Sequence, residues 1–184
     1  MSEISRNSAN PFEDEHEKSL ENTKLSFWNP LYRQLFNNSF VKREIVKDLV
    51  IQASGVDSVV HLKNNITIKF EEKLRDEMWS DICLEYISND NTNAPGWIEK
   101  QQASKYLVYI VQDSQNYYCY VYSFAALQDA WMDHKNYFIK NYGYKYDGKT
   151  LWNTQNKTYK TIWCPVPFTE EFLPEPIRFK KIKK

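Results

Sequence analysis

Gly55-Val56-Asp57-Ser58-Val59-Val60-His61-Leu62-Lys63-Asn64-Asn65-Ile66-Thr67-Ile68-Lys69-Phe70-Glu71-Glu72-Lys73 is the stretch whose periodicity sets the fold. Before it, apolar residues recur at helical spacing; within it the period drops to two. Asp57 to Leu62 contains the β-branched pair Val59 and Val60. Ile66, Ile68 and Phe70 alternate with Thr67, Lys69 and Glu71, as a half-buried strand requires. Lys63-Asn64-Asn65 is a turn, which makes the two strands an antiparallel hairpin with its midpoint near Asn64. That midpoint sets Asp57 opposite Glu71. Glu71 and Lys73, two apart, share a face; Glu72 points to the other face unless a bulge exchanges the roles.

Working outward, Asn29-Pro30 starts a helix with Leu31, Leu35 and Phe36 at helical spacing. A second helix is expected over 39–53, with Val46, Leu49, Val50 and Ala53 as its apolar face. Downstream, Asp81 to Ile87 reads as a third strand, 90–95 as a loop and 96–104 as a short helix. The apolar run Tyr106 to Gln112 suits a buried central strand. Tyr117 to Ser123 is its hairpin partner, and a helix follows from Phe124 to Ile139. The fold class expected is α/β, a sandwich with a mixed sheet flanked by helices. Residues 1–26, with six acidic and three basic side chains and few apolar ones, read as a flexible acidic leader. Residues 27–142 form the main domain. Residues 143–184 form an aromatic, Pro-containing extension that ends in the basic run Arg178 to Lys184.

Composition excludes several classes. The 184 residues suit one domain with appendages, and 42% are hydrophobic, enough for a real core. No run of about 18 apolar residues exists, so no membrane partner is expected. Met1 to Asn22 lacks the apolar centre of a secretory signal, and Cys83, Cys119 and Cys164 form no CxxC pair. A reducing, cytoplasmic setting is the expectation. With four Gly there is no phosphate-cradling loop. His16, His61 and His134 have no zinc spacing, and Cys83 lies in an apolar strand with no His partner. Twenty-four basic residues balance 24 acidic ones, which excludes a charge-coated nucleic-acid binder. The balance is uneven along the chain, since 1–26 is acidic and 178–184 carries five positive charges.

The hairpin brings two carboxylates and an ammonium together. Asp57 and Glu71 are hard oxygen ligands suited to Mg²⁺ or Mn²⁺. A metal there polarises a phosphodiester and acidifies a water, while Lys73 positions that water or stabilises developing negative charge. Spacing alone favours the plainer reading, a surface hairpin with ordinary charges. Glu71-x-Lys73 on the strand after Asp57 resembles the PD-(D/E)xK, restriction endonuclease-like superfamily, although Val56 stands where the signature has Pro. The ordered string Gly55-Val56-Asp57, Glu71 to Arg75, Asp81 to Tyr86, Gly96-Trp97-Ile98 and Tyr106 to Tyr109 is similar to uncharacterised phage and bacterial members. The likeness spans about Leu31 to Trp131. It implies an αβββαβ core, a Mg²⁺- or Mn²⁺-dependent nuclease activity, and DNA as the expected partner with RNA as the alternative.

Glu85, on the apolar third strand, is a further catalytic or metal-binding candidate, a partner for Arg75, or a solvent-facing strand residue. Arg75, Lys100, Lys180 and Lys181 are the candidates for contacting nucleic acid, against the plainer reading of solvated cations and a solubilising tail. Lys105 belongs with Lys100. Trp97 is a base-stacking residue or a core anchor. Paired subunits, a homodimer, would suit cutting both strands of a duplex. The alternative function is a non-catalytic binding or accessory protein on the same scaffold, such as a phage regulator, which the 16% aromatic content also suits.

Overall fold

The computed structural model describes residues 26–75, 77–100, 103–145, 152–154, 157–159 and 161–184. The acidic leader, at 1–25, lies outside the described residues. In chain order the elements are α1 (Trp28–Phe36), β1 (Phe40–Ile45), α2 (Leu49–Ala53), β2 (Ser58–Leu62), β3 (Ile66–Leu74), β4 (Asp81–Asn89), β5 (Ala94–Pro95), β6 (Tyr106–Gln112) and β7 (Asn116–Ser123). There follow α3 (Phe124–Tyr142), β8 (Tyr144–Lys145), β9 (Trp152–Thr154), β10 (Lys157–Tyr159), β11 (Ile162–Pro167) and β12 (Arg178–Lys183). The protein is α/β, with a mixed sheet in the order β1-β2-β3-β6-β7-β12. In it only β3 and β6 run parallel. A second sheet has the order β5-β4-β11-β8, and β9 pairs with β10.

The hairpin forms as its sequence dictates. Asn64 and Asn65 both take positive φ (63° and 58°), the left-handed conformation that Asn tolerates and a tight reversal needs. Pairing of Ser58 with Phe70 and Leu62 with Ile66 fixes the register, and one step further sets Asp57 opposite Glu71. No bulge interrupts β3.

Two apolar layers cover the two faces of the large sheet. On one face, α1 buries Trp28, Leu31, Tyr32 and Leu35, an i, i+3, i+4, i+7 stripe. They pack on Val60, Phe70, Val108, Ile110, Val121 and Ile182. Fully burying one Leu or Phe contributes roughly 1.5–3 kcal/mol. Pro30 sits in the first turn of α1, where its missing N–H leaves no gap. On the other face, α3 and the second sheet pack Leu127, Trp131, Phe138, Ile82, Leu84, Cys164 and Val166 against Leu107, Tyr109, Val111 and Tyr122.

Four expectations are corrected. Residues 39–53 are not one helix. Chain 40–45 pairs with β2, and Asp48 then caps a fresh short helix by accepting from Val50 and Ile51 N–H (2.8 and 3.2 Å). Its supposed apolar face is open, with Leu49 and Val50 65% and 80% exposed. The third strand, β4, joins the second sheet; the neighbour of β3 is β6. Trp97 to Glu99 is a turn, drawn onto β4 by Gly96 N–H to Tyr86 O (2.9 Å) and Ile98 N–H to Glu85 O (3.2 Å). The basic run is no free tail, since Arg178–Lys183 is the edge strand β12 paired along β7. The extension over 143–184 thus supplies strands to both large sheets.

Glu72 points toward α1, as strand alternation requires. Its buried carboxylate accepts from Tyr32 Oη (2.7 Å), Arg43 Nε (2.9 Å), Ser58 Oγ (2.5 Å) and Arg43 Nη2. Burial pushes this carboxyl up, and Arg43 only partly offsets the push. Removing one member of a buried ion pair strands the other and costs about 3–5 kcal/mol. Glu72→Ala should therefore lower the unfolding free energy by about that amount in urea titration. A loss under about 1 kcal/mol would assign the network no structural weight.

Candidate active-site cleft

The polar face of β3 meets the second sheet in a cleft of about 370 Å³. Asp57, Glu71, Lys73, Arg75, Glu85 and Lys100 all line it. Six residues singled out in the sequence thus converge in one place. Lys180 and Lys181 do not; they lie on β12. Lys105 is exposed over the Tyr106 ring and is not among the lining residues.

Each side chain is placed by backbone. Asp57 immediately precedes β2, with its N–H on Phe70 O (2.9 Å) and its carbonyl accepting from Val46 N–H (2.9 Å). Its Oδ2 accepts from Glu72 N–H at 2.8 Å, so one oxygen is fixed by the neighbouring strand. Gly55, at φ 76°, makes the tight left-handed step before it. Glu71 and Lys73 project from β3 to the same face and form an ion pair through Oε1. Glu71 is buried, and its Oε2 has no hydrogen-bond partner among the described residues. Glu85 comes from β4 in the second sheet. Contrary to one expectation, it does not turn to Arg75; its charged neighbours are Lys73 and Lys100, and it accepts from Trp97 N–H. Arg75 faces Tyr109, Cys83 and Asp81 and lies over the rings of Trp79 and Trp163 (5.5 Å each).

Burial dominates the electrostatics. It raises the Glu71 carboxyl; Lys73 opposes the rise and Asp57 adds to it. Burial likewise raises Glu85, against the pull of Lys73 and Lys100. Burial alone would lower Lys73, but Glu71, Asp57 and Glu85 outweigh it and leave the ammonium raised. Lys73 is therefore held as an ammonium, a hydrogen-bond donor. Burial pushes the Cys83 thiol up to about 11, so it is a neutral thiol and no nucleophile.

Tyr109 and Trp163 line the cleft without having been singled out. Tyr109 is legible in retrospect, since β6 runs parallel to β3 and pairs it with Lys73. Trp163 arrives on β11 and carries no local signal. Trp97 and Cys83 also line the cleft. Gly96 permits the close approach of this wall, since a Cβ there would stand 2.2 Å from Glu85 O.

The donors suit a hard divalent cation. Asp57 and Glu71 offer carboxylate oxygens, and the Glu71 Oε2, without a hydrogen-bond partner among the described residues, is free to accept one more ligand. Among the described residues, no three His, Cys, Asp or Glu side chains cluster to hold a metal alone. Two carboxylates would leave the rest of the shell to water or substrate oxygens, as Mg²⁺ commonly accepts. No family model, curated protein or solved structure matches the chain. Its class therefore rests on its own side chains.

Two outcomes follow from this geometry. A carboxyl raised in the fold contributes stability that is full below its ordinary value, 4.5 for Glu71, and is lost as pH rises through the raised value. Lys73→Met removes the main opposing charge, so the Glu71 carboxyl should rise further. The variant's stability deficit against the wild type should widen from pH 4 toward neutrality in urea titration, whereas a flat difference contradicts the coupling. Gly96→Ala should destabilise by about 1–3 kcal/mol through overpacking against Glu85. Unchanged stability would show that the approach of the two backbones is looser than described.

Proposed function

We propose that this chain is a metal-dependent nuclease that hydrolyses phosphodiester bonds, in DNA by preference and in RNA as the alternative, on a restriction endonuclease-like core. The observation that carries the proposal is the meeting of Asp57, Glu71 and Lys73 in one cleft, with a Glu71 oxygen buried and without a hydrogen-bond partner among the described residues. Bound by Asp57 and Glu71, Mg²⁺ or Mn²⁺ would polarise a phosphoryl oxygen and acidify a water. The chain's own residues do the rest. Asp57 is pre-positioned by the Glu72 N–H, which spares reorganisation during reaction. Lys73 donates to a phosphoryl oxygen or to the attacking water and holds the negative charge that develops. Lys100 and Arg75 orient the phosphates on either side. Glu85 sits within the field of Lys73 and Lys100, and burial raises its carboxyl, which favours a role in proton transfer. The buried free thiols Cys83, Cys119 and Cys164 suit a cytoplasmic, reducing setting. No helix among the described residues is long and apolar enough to cross a membrane.

One observation favours the accessory-protein reading. Leu49, Val50 and Ile51 stand exposed on α2, whose Gln52 and Ala53 line the cleft. An apolar tip of this kind marks a contact surface.

The deciding experiment incubates the protein with labelled single- and double-stranded DNA and RNA in Mg²⁺, Mn²⁺ or EDTA. Cleavage should require metal, and Lys73→Ala and Asp57→Asn should each reduce it about 10²–10³-fold with the fold intact. A folded wild type that cuts nothing, or a Lys73→Ala variant that cuts at the wild-type rate, would sink the nuclease reading.

A further inference from the structure

The cleft does not use the most basic part of the chain. In β12, Phe179 pairs with Tyr120, Lys181 with Tyr118 and Lys183 with Asn116. Alternation turns Phe179, Lys181 and Lys183 to one face, the face that carries Tyr118 and Tyr120. The opposite face is occupied. Ile182 is buried, Arg178 Nη1 donates to Leu35 O, and Lys184 lies over Tyr117.

The rings on the first face form a continuous series. Tyr118 and Phe179 are 6.3 Å apart at 22°, Phe179 and Tyr120 are 4.9 Å apart at 46°, and Tyr120 stacks on Phe168 at 4.0 Å and 17°. Phe168 also meets the edge of Tyr109, a wall of the cleft, at 6.2 Å. Lys181 Nζ sits 5.4 Å from the Tyr118 ring centroid, and Lys183 is exposed one step along. Phe179 is 52% exposed in mid-strand. A strand edge guarded by lysines needs only the lysines. An open phenyl ring beside them adds apolar surface that solubility does not call for.

We infer that this face is a stacking platform for single-stranded nucleic acid on the same side of the large sheet as the cleft. An exposed phenyl ring beside half-buried tyrosines, with one ammonium over Tyr118 and a second one step along, is chemistry that holds unpaired bases and their phosphates. A duplex is disfavoured, because its base faces are already stacked on one another. Register sets the distance between them. Lys73, Tyr109, Tyr120 and Phe179 occupy one row across β3, β6, β7 and β12. Adjacent strands lie about 4.8 Å apart, so the platform begins about 14 Å from Lys73. A few nucleotides cover that distance. As a substrate preference the inference rests on the nuclease reading; as a binding surface it stands alone, and the test separates the two.

The test measures fluorescence anisotropy of a labelled oligo(dT) of about 12 nucleotides, and of a duplex of equal length, with the full chain in EDTA. The single strand should bind more tightly than the duplex. Phe179→Ala should weaken binding at least about 5-fold, and Phe179→Trp should restore it. Lys181→Ala with Lys183→Ala should reduce the slope of log affinity against log salt by about 0.7 per lysine. If Phe179→Ala misfolds, the lysine variant decides. No binding by the wild type, equal or tighter binding of duplex, or wild-type affinity in all folded variants overturns the platform. Binding through the platform with no cleavage in Mg²⁺ overturns only the nuclease reading. Cleavage with binding indifferent to Phe179 and both lysines overturns only the platform.

Discussion

The buried carboxylate of Glu72 is the constraint on which the rest depends. It gathers α1 through Tyr32, β1 through Arg43 and β2 through Ser58. Its own N–H, on the same residue, holds Asp57. A slip of β3 by one residue would carry Glu72 to the other face and put Glu71 beneath α1. Four hydrogen bonds would be lost, and Glu71 and Lys73 would enter an apolar layer in place of Glu72. The register that presents Glu71 and Lys73 is therefore enforced from the opposite side of the sheet, by a residue whose side chain lies outside the cleft.

The second sheet then gives that presentation its chemistry. Open to water, Asp57, Glu71 and Lys73 would be ordinary surface charges. Covered by β4 and β11, Glu71 is buried and its carboxyl raised, and Lys73 is held protonated between three carboxylates. The seam needs both sheets. Glu85 and Trp163 come from one, Glu71, Lys73 and Tyr109 from the other. Gly96 lets the connecting turn press on Glu85 without a side chain in between. Charges gathered in such a seam oppose stability, and the aromatic layers above and below offset them.

The sequence makes the hairpin and its facing charges legible because both follow from local rules, namely period two, a turn built on Asn, and alternation. The same rules place Glu72 away from the cleft. They do not reveal that β4 leaves the large sheet, because a strand's partner is chosen by contacts distant in the chain. Residues 39–53 misled for a related reason. Val46, Leu49, Val50 and Ala53 have helical spacing, but Asp48 restarts the helix after β1 has paired, and spacing alone does not say whether a face is covered. The basic run reads as a tail by composition, and only its pairing with β7 shows Ile182 as an inward residue. Trp163 reaches the cleft through tertiary placement that no neighbouring residue announces.

The position of β12 has a consequence for the order in which the molecule can be made. It completes the large sheet on β7, and Arg178 fastens it to Leu35 of α1, 143 residues earlier. During synthesis, the segment Asn116–Ser123 exists well before its outer neighbour emerges. In that interval its unpaired amides and its run of tyrosines form an open edge, the kind that recruits a second nascent chain. Folding must wait on a contact of very long sequence separation, which slows it and prolongs the exposure. A helper that shields strand edges during translation would cover that edge until β12 arrives.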